Sequence, residues 1–107
     1  MITRIVKLEF QEERTQDFLD FFETIKHIVN EFPGCYGMKL YQDIDRPNIV
    51  MTYSHWDSQA SLNKYRNSEQ FGQIWPKIKP WFKEKPQAWS VSAYFDGFTS
   101  QRRSMRT

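Results

Sequence analysis

A chain of 107 residues with a single cysteine is one domain with one modest core, which excludes a disulfide framework and a multi-domain architecture. Its formal charge of +2 conceals a split: residues 97–107 hold Arg102, Arg103 and Arg106 and no acid, so residues 1–96 carry 12 basic against 13 acidic side chains. A near-neutral body without a basic stripe excludes a nucleic-acid domain, and no apolar run approaches the ~20 residues of a membrane span.

Residues 1–96 are expected to form the folded domain and residues 97–107 a basic, flexible, solvated tail. Met1-Ile2-Thr3-Arg4 begins no hydrophobic signal region, and a lone Cys35 suits a reducing compartment. The expected setting is the cytoplasm.

Taken in chain order, Ile2 to Phe10 alternates, with Val6, Leu8 and Phe10 on one side and Thr3, Lys7 and Glu9 on the other, which predicts a half-buried strand. From about Glu13 to Phe32, Phe18, Phe21, Phe22, Ile25, Ile28, Val29 and Phe32 recur at intervals of three and four. That is the apolar stripe of an amphipathic helix. Pro33 cannot continue a helix and Gly34 tolerates positive φ, so the pair ends it. Cys35 to Gln42 and Asn48 to Trp56 are β-patterned runs joined by a turn from Asp43 to Asn48, an antiparallel hairpin.

Between Trp56 and Trp75 the spacing predicts two short helical segments. Asp57 or Ser58 caps the first and Ser68 the second, each accepting from an orphan backbone N–H. Trp56, Tyr65, Phe71 and Trp75 are thereby aimed at one region. Pro76 and Pro80 predict a short or broken helix over Lys77 to Lys85. Gln87 to Phe95 alternates Trp89, Val91, Ala93 and Phe95 against Ser90, Ser92 and Tyr94, a last strand.

The order β-α-β-β-α-β is the α+β, ferredoxin-like arrangement, an antiparallel four-stranded sheet with helices on one face. The middle strands carry large groups on both sides: Tyr36, Met38 and Leu40 oppose Cys35 and Tyr41, and Ile49, Met51 and Tyr53 oppose Val50 and Trp56. A sheet apolar on both faces needs a second cover, and a homodimer packed sheet to sheet supplies it.

Chemistry-bearing residues are sparse. Neither His27 nor His55 has a carboxylate or cysteine at ligand spacing, so no metal is expected, and no glycine-rich phosphate loop is present. His55 adjoins Trp56, and neighbours on a strand face opposite ways. It reads either as a half-buried residue at the rim of the sheet or as a general base. Tyr53, Trp56, Tyr65, Phe71 and Trp75 read either as packing between sheet and helices or as a pocket for a small aromatic ligand.

The run Trp56-Asp57-Ser58-x-x-Ser61-Leu62-x-x-Tyr65-x-x-Ser68-x-x-Phe71-x-x-x-Trp75 resembles the antibiotic biosynthesis monooxygenase family. Pro33-Gly34-Cys35 after the long helix and Tyr41-Gln42-Asp43-x-Asp45-x-Pro47-Asn48 between two strands extend the resemblance over about residues 1–95. It implies a dimeric α+β barrel and a cofactor-independent monooxygenase that oxidises a small phenolic or quinol-type substrate with dioxygen. An electron-rich phenol, once deprotonated, itself reduces dioxygen, so no cofactor is expected. Trp56, Phe71 and Trp75 would form the slot, while Tyr53, His55, Tyr65 or Tyr94 would supply polar contacts. His55 and Tyr65 are the candidates for a catalytic role. The family's haem-degrading branch has a ligating histidine where Trp75 stands and an asparagine on the first strand, which Ile2 to Phe10 lacks, so haem degradation is not implied. The alternative from another class is a non-catalytic, small-ligand-binding or structural homodimer.

Overall fold

The computed structural model describes residues 1–98. The arginines of the C-terminal tail, Arg102, Arg103 and Arg106, lie outside the described residues. Strand β1 spans Ile2–Phe10, and a 3-10 turn at Glu12–Arg14 leads into helix α1, Thr15–Asn30. Strands β2 (Cys35–Gln42) and β3 (Ile49–Trp56) form the predicted hairpin. Helices α2 (Gln59–Arg66) and α3 (Glu69–Ile78) follow, then a second 3-10 turn at Lys79–Trp81 and strand β4, Phe82–Val91. The sheet order is β2-β3-β1-β4 and every pairing is antiparallel. The fold is α+β and ferredoxin-like, with the helices on one face.

Strand parity assigns the two faces. Ile2, Arg4, Val6, Leu8 and Phe10 share one face of β1, opposite Trp56, Ser54, Thr52 and Val50 of β3 in the registered pairs. Leu8, Phe10, Phe18, Val50, Ile78 and Trp81 are buried together there, with Phe21, Phe22, Trp75 and Phe82 against them, so this is the helix-covered side. Phe10 stacks on Phe18 at 4.4 Å between ring centres. Thr3, Ile5, Lys7 and Glu9 occupy the other side with His55, Tyr53, Met51 and Ile49.

The turn between α1 and β2 requires its glycine. Gly34 has φ +89°, and a Cβ there would run into the Ser61 side chain at the start of α2. Its carbonyl accepts from Asp57 N–H at 2.8 Å, tying the end of β3 to the same turn. The β2–β3 turn is held by Asp43, whose Oδ2 accepts from the N–H groups of Asp45 and Arg46 at 3.1 and 2.8 Å. Buried Asn48 anchors this turn to β1 by donating to Phe10 O at 2.9 Å.

Two expectations about the C-terminal half are corrected. In place of a separate short helix over Lys77 to Lys85 stand the end of α3, the 3-10 turn at Lys79–Trp81 and the start of β4, and Pro76 does not interrupt: α3 runs through it to Ile78. The ring costs the carbonyl of Gly72, four residues back, its helical partner. Gly72 is exposed, so water can replace that bond. The last strand lies five residues earlier at its start than Gln87 and ends at Val91 rather than Phe95. β4 pairs only with β1, so the extent of β1 sets its own, from Phe10↔Phe82 to Thr3↔Val91. The alternation beyond Val91 has no partner strand. Pro86 is accommodated because β4 is an edge strand whose register shifts between Lys7 and Glu9.

Candidate functional site

The helix-covered face carries a continuous row of aromatic rings. Both helices that supply its middle are capped as their sequence dictates: Ser58 Oγ accepts from Ser61 N–H at 3.2 Å, and Ser68 Oγ from Phe71 N–H at 3.1 Å. Ser68 also donates to Tyr65 O at 2.6 Å, which fixes the end of α2 to the start of α3. Ring centres then follow at 6.1 Å for Phe32–Trp56, 5.4 Å for Trp56–Tyr65 and 5.3 Å for Tyr65–Phe71. Phe71–Trp75 at 5.8 Å and Trp75–Phe82 at 5.5 Å complete the row.

Its members differ in availability. Trp56 is 1 % exposed, and its indole N–H donates to the buried Ser54 hydroxyl at 2.9 Å. It closes the base of the row as core. Tyr65, Phe71 and Trp75 are half-buried. Tyr65 meets Phe32 and Phe71 edge-on, and burial together with the neighbouring Cys35 pushes its phenol up to about 12. Burial also raises the Cys35 thiol. Both groups are neutral at ordinary pH. Among the described residues the Tyr65 hydroxyl meets no hydrogen-bond partner, and a half-buried phenol is a donor in search of an acceptor.

The row crosses the sheet as a diagonal. It leaves β3 at Trp56, which is paired with Ile2 at the start of β1, and reaches β4 at Phe82, which is paired with Phe10 at the end of β1. The corner beyond it holds Arg4 and Val6 of β1 with their partners Ser90 and Ala88 of β4. Ala88 and Ser90 are exposed although they share the helix-covered face. The helices therefore leave a shelf open beside the rings. Arg4 donates from Nη1 to Ser90 Oγ at 3.0 Å across it.

Sequence reasoning missed Arg4, Ala88 and Ser90. The signal was present: Arg4 has the parity of Val6, Leu8 and Phe10, so a guanidinium stands in the apolar set of a half-buried strand.

Of the five pocket candidates, Tyr53 alone lies on the opposite face, and His55 lies with it. Tyr53 packs edge-on against His55 at 4.9 Å and against Tyr41 at 6.3 Å. His55 Nδ1 is 3.0 Å from Thr3 Oγ1. A cleft of about 1070 Å³ over this face is lined by Tyr36, Tyr41, Tyr53, His55, Phe95 and Phe98 among others. The sheet itself separates these groups from Tyr65, Phe71 and Trp75. Tyr94 is fully exposed beyond the end of β4. His27 is exposed on α1. Among the described residues no three of His, Cys, Asp or Glu gather as a metal site would need, and no helix is long and apolar enough to cross a membrane.

The sequence profile of the antibiotic biosynthesis monooxygenase family matches residues 1–76, which hold the first three strands, α1, α2 and the ring row through Trp75. The chain belongs to this family. Its fold is shared by a protein of Nitrosomonas europaea provisionally named an antibiotic biosynthesis monooxygenase. The TM-score is 0.81 at 14 % identity, over 89 % of this chain and 100 % of that one. A conserved protein of Methanosarcina mazei Go1 aligns at 0.78 with 21 % identity, over 85 % and 91 %. A Bordetella bronchiseptica protein with the same provisional name aligns at 0.77 with 21 % identity, over 88 % and 97 %. No match was found among curated proteins. As an antibiotic biosynthesis monooxygenase family member, the chain is assigned to monooxygenase-type proteins at the coarse level. Identities this low carry the fold and leave the substrate to the site.

Proposed function

We propose that this protein is a cofactor-independent monooxygenase that oxidises a small phenolic or quinol-type substrate with dioxygen, as a homodimer in the cytoplasm. The observation that carries the reading is Tyr65: a phenol kept protonated by burial, with a free hydroxyl, set among the aromatic rings of Phe32 and Phe71. Family membership supports it, and the single Cys35 suits the compartment.

The chemistry asks little of the protein. A phenol bound against Phe71 and Trp75 loses its proton to water at the open shelf and is held as a phenolate by the Tyr65 O–H. The phenolate passes one electron to dioxygen, giving a phenoxyl radical and superoxide. These combine at a hydrogen-bearing ring carbon ortho or para to the oxygen, and the proton returned from water completes a hydroperoxide. Loss of water, using that carbon's hydrogen, leaves the quinone. One oxygen atom enters the product, the other departs as water, and the substrate supplies all the electrons. A raised phenol value matters here because Tyr65 must donate a hydrogen bond rather than compete for the proton.

Oxygen uptake by metal-free protein against a panel of hydroquinones, anthrones and related phenols tests the reading. Protein-dependent uptake is expected, falling on the order of 10²-fold in Tyr65→Phe, the usual cost of deleting one oxyanion donor. A folded wild-type protein that takes up no oxygen across the panel would instead favour a non-catalytic binding role.

A further inference from the structure

Two cations on the open shelf have no anion among the described residues. Arg4 is half-buried in the apolar set of β1, with its bond to Ser90 exposed to solvent. Three ion pairs form among the described residues, Arg14–Asp17, Lys26–Glu23 and Arg46–Glu9, and none involves the shelf. Of the five N–H donors of Arg4, the one bond formed is to Ser90 Oγ. That bond ties the guanidinium across the β1–β4 pair and leaves its other donors without a partner among the described residues. The charge that acts on Arg4 is a like one. Arg66, in the last turn of α2, joins with burial in pushing the Arg4 guanidinium below its ordinary range, burial being the larger cause. Arg66 alone would be accounted for by the negative end of the α2 dipole. That account does not reach Arg4, which belongs to a strand.

Holding a partly buried cation near a second one costs free energy in the isolated protein, and an anion placed between them offsets that cost by pairing with both. The rings beside the shelf select a flat partner. On the reading of the shelf as the substrate site, we propose that the Arg4–Ser90–Arg66 corner recognises a carboxylate carried by an aromatic substrate, so that the substrate class is a phenolic or quinol-type aromatic acid. The carboxylate accepts from the free donors of Arg4, and the ring lies toward Tyr65, Phe71 and Trp75. The phenolic oxygen meets Tyr65.

Binding without turnover tests this separately from catalysis. Three probes are titrated anaerobically by calorimetry: 2,5-dihydroxybenzoate, benzoate and neutral hydroquinone. With wild-type protein the two acids are expected to bind at least about 10-fold tighter than hydroquinone, less so as salt rises. Arg4→Gln should remove that preference, a loss of roughly 10- to 100-fold for the acids with hydroquinone unchanged. Arg66→Gln, at an exposed position that cannot threaten folding, should give a smaller loss of the same selectivity. Hydroquinone binding as tightly as the acids, a preference that survives both substitutions, or no binding of any probe would each overturn the proposal. Because dioxygen is absent, failure to oxidise leaves this result untouched. Conversely, oxygen uptake with neutral quinols alone would sink the aromatic-acid assignment and leave the monooxygenase reading standing.

Discussion

Tyr65 is the residue whose environment can be read most directly from outside the site. Its phenol stands at about 12 against an ordinary 10.0, pushed there by burial first and by Cys35 second. The group is neutral when protonated, so the native state holds this proton more tightly than the unfolded chain does. Its contribution to stability is fully present below the unfolded value and is lost as pH rises through the folded one, a window between 10.0 and about 12. Urea denaturation of wild type and Tyr65→Phe at about pH 9 and about pH 11.5 isolates the effect, since every other titrating group is common to both. The stability difference between them should move against wild type by about 2 kcal/mol across that interval, the span expected of a shift of this size. A difference that stays constant would mean that the hydroxyl is solvated and the phenol ordinary. Such a phenol would also lose its claim as a fixed donor to a bound phenolate.

At the scale of elements, the two short helices hold their rings through one serine. Ser68 accepts from Phe71 N–H and donates to Tyr65 O, so a single hydroxyl caps α3 and secures the end of α2. Ser68→Ala is expected to cost about 1–2 kcal/mol in denaturant midpoint at unchanged slope, a full cap with its second bond. A loss of a few tenths would show that packing of Ile74 and Ile78 alone seats the helix. This much was legible in the chain, because caps and ring spacing are local: Ser58, Ser68 and the positions of Tyr65, Phe71 and Trp75 follow from helical period. The bounds of β1, β2 and β3 were legible for the same reason, their alternation being bracketed by Pro33-Gly34 and the Asp43 turn. The bounds of β4 were not. Lys83 to Lys85 have no strand-like pattern and become strand because β1 offers an unpaired edge, while the better-patterned Ser92 to Phe95 have no edge to join. The same non-local cause hid the shelf. Which corner of a sheet the helices leave bare depends on the diagonal of the ring row, and only the parity of Arg4 hinted at it.

For the whole molecule the question is what lies on the other face of the sheet. Tyr36, Tyr41, Met51, Trp89 and Val91 are large and each more than a third exposed there, around half-buried Tyr53 and His55. An apolar surface of this extent on one side of a small domain is predicted to take a partner, and a second copy would offer the same surface to itself about a two-fold axis. Sheet-to-sheet association would enclose the cleft with His55 and Thr3 and leave both shelves facing outward, since rings and shelf lie across the sheet from the interface. Substrate site and dimer contact are thus predicted to be separable. Light scattering at micromolar concentration should give twice the 13.0 kDa of the chain. Met51→Glu sets like charges against an apolar partner and should yield monomers with unchanged far-ultraviolet circular dichroism. Those monomers should still bind ligand at the shelf, because no shelf residue is on that face. Wild-type protein that stays at a single chain mass, or Met51→Glu that remains dimeric, would remove the sheet face from the interface. Its large side chains would then need the segment after β4, which borders the same cleft through Ala93, Phe95 and Phe98, as their cover.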